Sequence, residues 1–313
     1  MSKPGLVMVG PLMPRVVEGI APLFEVHRLW EAADQEALLA KVAPTVRAIA
    51  TDGTRGAGAD LMRKLPHLAI VGCQGVGVDA IDLGYARTHD VIVTNTPDVL
   101  NDDVADIAIV LMLSAIRRIP QGDRYVREGK WLKAPMPLTD TLRNRTLGMV
   151  GFGRIGKAIA KRAEAFGLKI VYHTRTLQID QPYVHYPRLI EMARDVDILM
   201  VIVPGGAATR HLINAHVLEA LGPSGYIVNV ARGSVVDEPA LIKALQEGKI
   251  AGAGLDVFEN EPSVPEALLG MDNVVLAPHV GSATHHTRNA MAQLVVDNLK
   301  AWREGRPVLT PVK

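Results

Sequence analysis

Between Leu147 and Thr176 the chain reads LGMVGFGRIGKAIAKRAEAFGLKIVYHTRT. A short apolar run leads into Gly151-Phe152-Gly153-Arg154-Ile155-Gly156. An Ala-rich amphipathic segment follows, then a second apolar run from Lys169 to Tyr172. Strand, glycine turn, helix and strand in that order specify a right-handed βαβ unit and leave few other folds open to the chain around it. A GxGxxG motif alone is weak evidence, but a strand before it and a helix after it make it the turn that cradles a dinucleotide. Gly151 permits the tight turn, Gly153 lets the backbone approach a pyrophosphate, and Gly156 lets the helix pack on the sheet. The N–H groups of Arg154 and Ile155 are then expected to face phosphate at the positive end of the helix.

An acidic residue is expected roughly 20 residues beyond the first glycine, where it binds the ribose 2′-hydroxyl. Here that place holds His173-Thr174-Arg175. A carboxylate would repel a 2′-phosphate, whereas a guanidinium offers it a charge-assisted fork and a threonine hydroxyl adds a donor. The expected cofactor is therefore NADP(H) in preference to NAD(H), with NAD(H) use left open and Arg175 as a plain surface cation the alternative.

Elsewhere short apolar runs alternate with helical patterns. Leu6–Val9, Glu25–Leu29, Arg47–Thr51, Leu68–Val71 and Val91–Thr94 read as strands, with helices over Arg15–Phe24 and Glu36–Val42. Beyond Pro97, Asn101 or Asp102 caps a long helix that is apolar on most faces, so burial between domains or subunits is expected. Residues 120–137 mix aromatics and cations and read as either a surface loop or an arm that wraps a partner subunit. After the glycine unit come strands at Ile198–Val203, Tyr226–Val230, Ala253–Val257 and Val274–Ala277, with helices at Leu189–Arg194, Asn214–Leu221 and Glu238–Glu247. A last helix over Thr284–Glu304 returns the chain to its first part. The fold class is α/β, with two doubly wound parallel-sheet domains. A Rossmann cofactor domain, residues 100–285, is inserted into a flavodoxin-like substrate-binding domain, residues 1–99 plus 286–313.

With 313 residues, a formal net charge of +1 and 21% charged residues, the chain suits two globular domains and gives no electrostatic reason to expect nucleic acid or an anionic membrane. No apolar run approaches the roughly 18–20 residues of a membrane span, and no secretory signal opens the sequence. The single cysteine, Cys73, cannot pair internally and reads as a small buried residue, so a reducing cytoplasmic setting is expected.

Three segments carry reactive residues at strand ends: NVARGSVVDEPAL with Arg232, GAGLDVFENEP with Asp256, Glu259 and Glu261, and NVVLAPHVGSAT with His279. Open α/β sheets bind ligands outside the carboxyl ends of their strands. A cation, a carboxylate and an imidazole there suit reduction of a 2-keto acid. His279 is the general acid for the developing alkoxide, Glu261 fixes its tautomer, and Arg232 binds the carboxylate and polarises the carbonyl. No metal is called for.

In GFGRIG and these three segments, in their order and approximate spacing, the sequence resembles the D-isomer-specific 2-hydroxyacid dehydrogenases over nearly its whole length. The resemblance implies an Arg/Glu/His triad at Arg232, Glu261 and His279. It also implies a first-domain loop, Gly75-Val76-Gly77-Val78-Asp79, whose N–H groups hold the substrate carboxylate; such a pair is an anion nest on physical grounds too. Substrate contacts would then come from Val76, Gly77, Arg232 and His279. By the same resemblance Val104, Val203, Pro204, Thr209, Val230, Ala231, Arg232, Asp256, His279, Gly281 and Ser282 line the cofactor beside the glycine turn with its Phe152, and Asp256 sits near the nicotinamide amide. A homodimer through residues 101–137 is implied as well. Within the family, His173-Thr174-Arg175 resembles the NADPH-using glyoxylate and hydroxypyruvate reductases. The expected reaction is reduction of glyoxylate or hydroxypyruvate to a D-2-hydroxy acid, with aryl or alkyl keto acids next. The alternatives are an NAD-dependent phosphoglycerate-type dehydrogenase and a non-catalytic dinucleotide-sensing protein of the same fold, like the C-terminal-binding-protein corepressors.

Overall fold

The structure, a computed structural model, describes residues 3–312. Its backbone divides into two compact units, one running to Leu100 and resuming at Thr284, the other spanning Asn101–Ala283.

The first unit is a five-stranded parallel sheet of β1 (Gly5–Met8), β2 (Glu25–Arg28), β3 (Val46–Asp52), β4 (Ile70–Gln74) and β5 (Ile92–Thr94). Its order, β2-β1-β3-β4-β5, is the flavodoxin-like one. Alternate residues of each strand feed opposite layers, as the period of two requires. Leu6, Met8, Ala48, Ala50 and Ile70 pack with Val295 and Leu299 of the C-terminal helix His285–Arg303. Val7, Ile49, Val71 and Val93 pack on the other face with Leu39, Met62 and Ala86. The C-terminal helix thus completes this unit. Two short helices here, Ala59–Arg63 and Leu83–Thr88, were not expected from sequence; five or six residues give too few turns to show a period of 3.6.

The second unit is a seven-stranded parallel sheet of β6 (Thr146–Val150), β7 (Lys169–His173), β8 (Val184–His185), β9 (Ile198–Val201), β10 (Tyr226–Asn229), β11 (Gly252–Leu255) and β12 (Val274–Leu276). Its order, β12-β11-β10-β9-β6-β7-β8, reverses direction between β6 and β9, the switch point at which doubly wound sheets bind ligands. The strands β6 and β9–β11 are buried on both faces, as their unbroken apolar runs require. The two-residue β8 was not legible in sequence, being too short for any pattern.

The long helix is Asn101–Arg117. It packs on its own unit's sheet, close enough at Leu111 that a side chain on Gly254 would meet the Leu111 carbonyl at 3.0 Å. Arg162 ties it to the helix Arg154–Glu164 through Asp102 (2.9 Å) and Asp106 (2.6 Å). Residues 119–127, left between loop and arm by the sequence, are helical and followed by a 3₁₀ turn at Lys130–Leu132. No described helix is long and apolar enough to cross a membrane.

Candidate active site

The glycine turn follows β6 directly. Gly151 sits at φ +96°, and a Cβ there would lie 2.6 Å from the Ile202 carbonyl, so both conformation and space demand glycine. A Cβ on Gly156 would meet the Gly151 carbonyl at 2.9 Å, which is how helix and turn come to lie so close. A Cβ on Gly153 would meet nothing within 4 Å: this glycine faces open space. The helix it opens, Arg154–Glu164, has no side chain capping its N terminus and buries Gly156, Ile159, Ala160 and Ala163 along one stripe. An uncapped helix end behind an open glycine turn suits a pyrophosphate, so these residues fit a dinucleotide. The Phe152 ring lies elsewhere: it is 1% exposed and stacks on Tyr172 at 4.7 Å, leaving only its backbone for a ligand.

At the end of β7 the His173 carbonyl accepts from Gly151 N–H (3.0 Å), and His173 Nδ1 bonds the Tyr186 carbonyl (2.8 Å). The Thr174 hydroxyl donates to the Thr176 carbonyl at 2.7 Å. Its donor is therefore used inside the loop, a departure from its expected service to phosphate. Arg175 is exposed and in no ion pair among the described residues, the state in which a guanidinium is free to meet an anion.

The ends of β10, β11 and β12 converge in this same unit. Asn229 closes β10 with both ends of its amide committed: Oδ1 accepts from Ala231 N–H (3.0 Å) and Nδ2 donates to the Arg232 carbonyl (3.0 Å). It holds the turn that carries Arg232. A Cβ on Gly233 would lie 1.9 Å from the Phe258 carbonyl carbon, so the Arg232 turn and the 256–261 segment touch backbone to backbone. Buried Glu238 accepts from Glu259 N–H at 3.0 Å and pins that segment from its other side. None of Asn229, Gly233 or Glu238 was singled out from sequence. A polar residue ending an apolar strand (YIVN) was the one available signal, for Asn229.

Glu261 Oε2 and His279 Nδ1 are 2.6 Å apart, and Glu261 Oε1 accepts from Phe258 N–H (3.0 Å). Burial pushes the Glu261 carboxyl up, but its bonds to His279 and Phe258 and the charges of His279 and Arg232 outweigh burial and leave its pKa below the ordinary value. An ionised acceptor at Nδ1 keeps the proton on that nitrogen, which leaves Nε2 as the working atom.

His279 is held at φ +53°, a left-handed conformation that costs a non-glycine residue about 1–3 kcal/mol. Asp256 supplies the restraint. Its carbonyl accepts from His279 N–H (2.9 Å), and its carboxylate oxygens accept from Val280 N–H (2.7 Å) and Gly281 N–H (2.8 Å). Asp256 is 2% exposed; burial pushes its carboxyl up and prevails over those two bonds. The structure thus gives Asp256 a task beyond the contact the resemblance implied: it builds the His279 turn.

The remaining expected cofactor residues lie around the same strand ends. Val203 and Pro204 follow β9, and Thr209 closes their loop by donating to the Pro204 carbonyl at 2.6 Å. Val230 and Ala231 are buried beyond β10. Val104, on the long helix, and Gly281 approach each other closely enough that a Cβ on the glycine would meet the valine at 3.4 Å, with partly buried Ser282 next in line. Val76 and Gly77 belong to the first unit. There the carbonyls of Gly75, Val76 and Gly77 accept from Thr96 N–H (2.9 Å), Asn95 Nδ2 (2.9 Å) and Cys73 Sγ (3.8 Å). Gly75 N–H donates to the Cys73 carbonyl (3.1 Å), so an anion nest in this loop would fall to the N–H groups beyond it.

Residues 109–281 match the family model for the NAD binding domain of D-isomer specific 2-hydroxyacid dehydrogenases. The chain is 47% identical to glyoxylate/hydroxypyruvate reductase A of Arabidopsis thaliana over 312 residues, covering 100% of both. It is 46% identical to hydroxyphenylpyruvate reductase of Plectranthus scutellarioides, covering 98% of each. Its structure aligns at a TM-score of 0.95 and 51% identity with an NADPH-dependent glyoxylate/hydroxypyruvate reductase from Sinorhizobium meliloti solved with NADP and malonate, covering 99% of this chain and 97% of that one. Likeness of this extent, on a fold and strand-end site of this kind, makes the chain a member of the D-isomer specific 2-hydroxyacid dehydrogenases.

Proposed function

We propose that this enzyme reduces small 2-keto acids, glyoxylate and hydroxypyruvate first, to D-2-hydroxy acids with NADPH. The observation that carries the reading is the 2.6 Å Glu261–His279 pair, placed beside the Arg232 turn in the unit that also holds the glycine turn. The S. meliloti relative's NADPH dependence supports the cofactor, and the free Arg175 gives it a physical basis.

When bound, the nicotinamide supplies hydride to the keto carbon. The Arg154–Ile155 backbone at the helix N terminus would hold the pyrophosphate, and Arg175 the 2′-phosphate. Arg232 binds carboxylate and carbonyl oxygen, drawing electron density from the carbon under attack. His279 gives the Nε2 proton to the oxygen as it gains charge, while Glu261 compensates the imidazolium at Nδ1 and keeps the ring aimed. Asp256 holds the turn from which the ring projects. In the first unit, the Val76 and Gly77 N–H groups are the proposed nest for the substrate carboxylate.

NADPH consumption, followed by absorbance with glyoxylate, hydroxypyruvate, pyruvate and phenylpyruvate, tests the assignment. Turnover is expected with the first two and faster with NADPH than NADH. Turnover with none of the four would refute it in favour of a dinucleotide sensor, and a preference for NADH would refute the cofactor assignment.

We further propose that two copies pair through residues 101–137. Trp131 and Leu132, 67% and 92% exposed, and the exposed Val110, Ile119 and Val126 all fall in this segment, and burying such apolar side chains would drive association. Equilibrium sedimentation is expected to show a dimer for the wild type and a monomer for Leu132→Asp combined with Val126→Asp; a monomeric wild type would refute pairing.

A further inference from the structure

The segment after β7 holds the one cation assigned to the cofactor's 2′-phosphate, yet nearly all of it lies in solvent. From residue 175 to 180 every side chain is exposed except that of Gln178. A guanidinium on a solvated loop reads a phosphate well only if the loop beneath it is fixed, because ordering the loop on binding would subtract from affinity.

Three sets of hydrogen bonds supply that fixation. At the base, His173 Nδ1 bonds the Tyr186 carbonyl (2.8 Å) and His185 Nε2 bonds the Thr174 carbonyl (2.9 Å). A carbonyl only accepts, so each ring nitrogen is the donor, and the two bonds cross-link the ends of β7 and β8. In the middle, Gln178 N–H donates to the Tyr172 hydroxyl (3.0 Å), which donates back to the Gln178 carbonyl (3.3 Å). Finally, Gln178 Nε2 donates to the Phe152 carbonyl at 2.8 Å. Phe152 is the second residue of the glycine turn, and its ring stacks on the same Tyr172. Gln178 thus joins the loop that carries Arg175 to the turn that would hold the pyrophosphate, with fully buried Tyr172 as the common floor.

We propose that Gln178 is a positioning residue for cofactor selection: its side-chain amide sets the distance between the glycine turn and Arg175, and so matches the loop to a dinucleotide bearing a 2′-phosphate. The inference rests on the NADPH reading above. NADH carries a neutral 2′-hydroxyl where NADPH carries the phosphate, so its binding depends far less on where Gln178 holds the loop.

The test uses the full-length enzyme and measures kcat and KM for NADPH and NADH with glyoxylate, in the wild type, Gln178→Met, Arg175→Ala and the double variant. Methionine keeps the length and packing of glutamine and removes the donor. Gln178→Met is expected to raise KM for NADPH about 3- to 10-fold, the worth of one net hydrogen bond, with KM for NADH and both kcat values within about twofold of wild type. In the Arg175→Ala background the same change is expected to add nothing, since Gln178 acts through Arg175. The proposal is overturned if Gln178→Met raises KM for both cofactors alike, changes neither, lowers only the melting temperature, or adds its full effect to Arg175→Ala. If Arg175→Ala itself weakens both cofactors equally, the 2′-phosphate reading falls and this inference with it.

Discussion

Asp256→Asn separates two tasks that its carboxylate could perform. The resemblance to the family put Asp256 beside the nicotinamide; the geometry makes it the anchor of the His279 turn. Asparagine keeps the shape but offers one acceptor where aspartate offers two, to Val280 N–H at 2.7 Å and Gly281 N–H at 2.8 Å. The amide NH₂ would then face a backbone donor. Losing one charge-assisted bond costs about 1.5–3 kcal/mol, partly offset because a neutral side chain sits more comfortably in this buried place. The net loss is comparable with the roughly 1–3 kcal/mol stored in the φ +53° backbone of His279, so the turn can relax toward an ordinary conformation. A displacement of even 1 Å in a reacting group costs on the order of 10²-fold in rate. Steady-state kinetics with glyoxylate should therefore show kcat lowered roughly 10²-fold with KM for NADPH little changed. A variant with unchanged kcat and a raised KM for NADPH would refute the reasoning and return Asp256 to a cofactor contact.

Gly233→Ala tests the contact between the Arg232 turn and the 256–261 segment. A Cβ only 1.9 Å from backbone requires the two to part by more than 1 Å, so kcat should fall by about 10²-fold or more, and activity within a factor of two or so would show that their contact does not matter. Glu261 gives a pH dependence of definite sign. Its folded pKa lies below the ordinary 4.5, so its contribution to stability is full above that value and is lost as pH falls through the folded pKa. The difference in melting temperature between wild type and Glu261→Gln should accordingly shrink on acidification below about pH 4.5; a difference constant with pH would contradict the ion pair.

The amino-acid sequence discloses what periodicity and motif record. The central strands of both sheets are buried on two faces and so appear as apolar runs, and the glycine turn is named by its flanking strand and helix. Arg232, Glu261 and His279 stood out because reactive residues at successive strand ends have no structural reason to recur. Tertiary relations stayed hidden. Nothing near Gly233 announces that Phe258 lies against it, since the two meet through backbone. The left-handed turn at His279 carries none of the glycine or asparagine signals that usually mark one. Gln178 and His185 act through main-chain carbonyls, which any sequence supplies. Thr174, chosen for its hydroxyl, proved to direct it to a neighbouring carbonyl, a local bond that short polar side chains readily make.

The central claim is that His279, aimed by Glu261, delivers the proton in a reduction driven by NADPH. Its most direct test is His279→Gln, assayed for turnover of glyoxylate and, separately, for NADPH binding by fluorescence. A kcat lower by on the order of 10²- to 10⁴-fold is expected, with NADPH affinity nearly unchanged. Turnover close to that of the wild type would contradict it and assign the proton to another group.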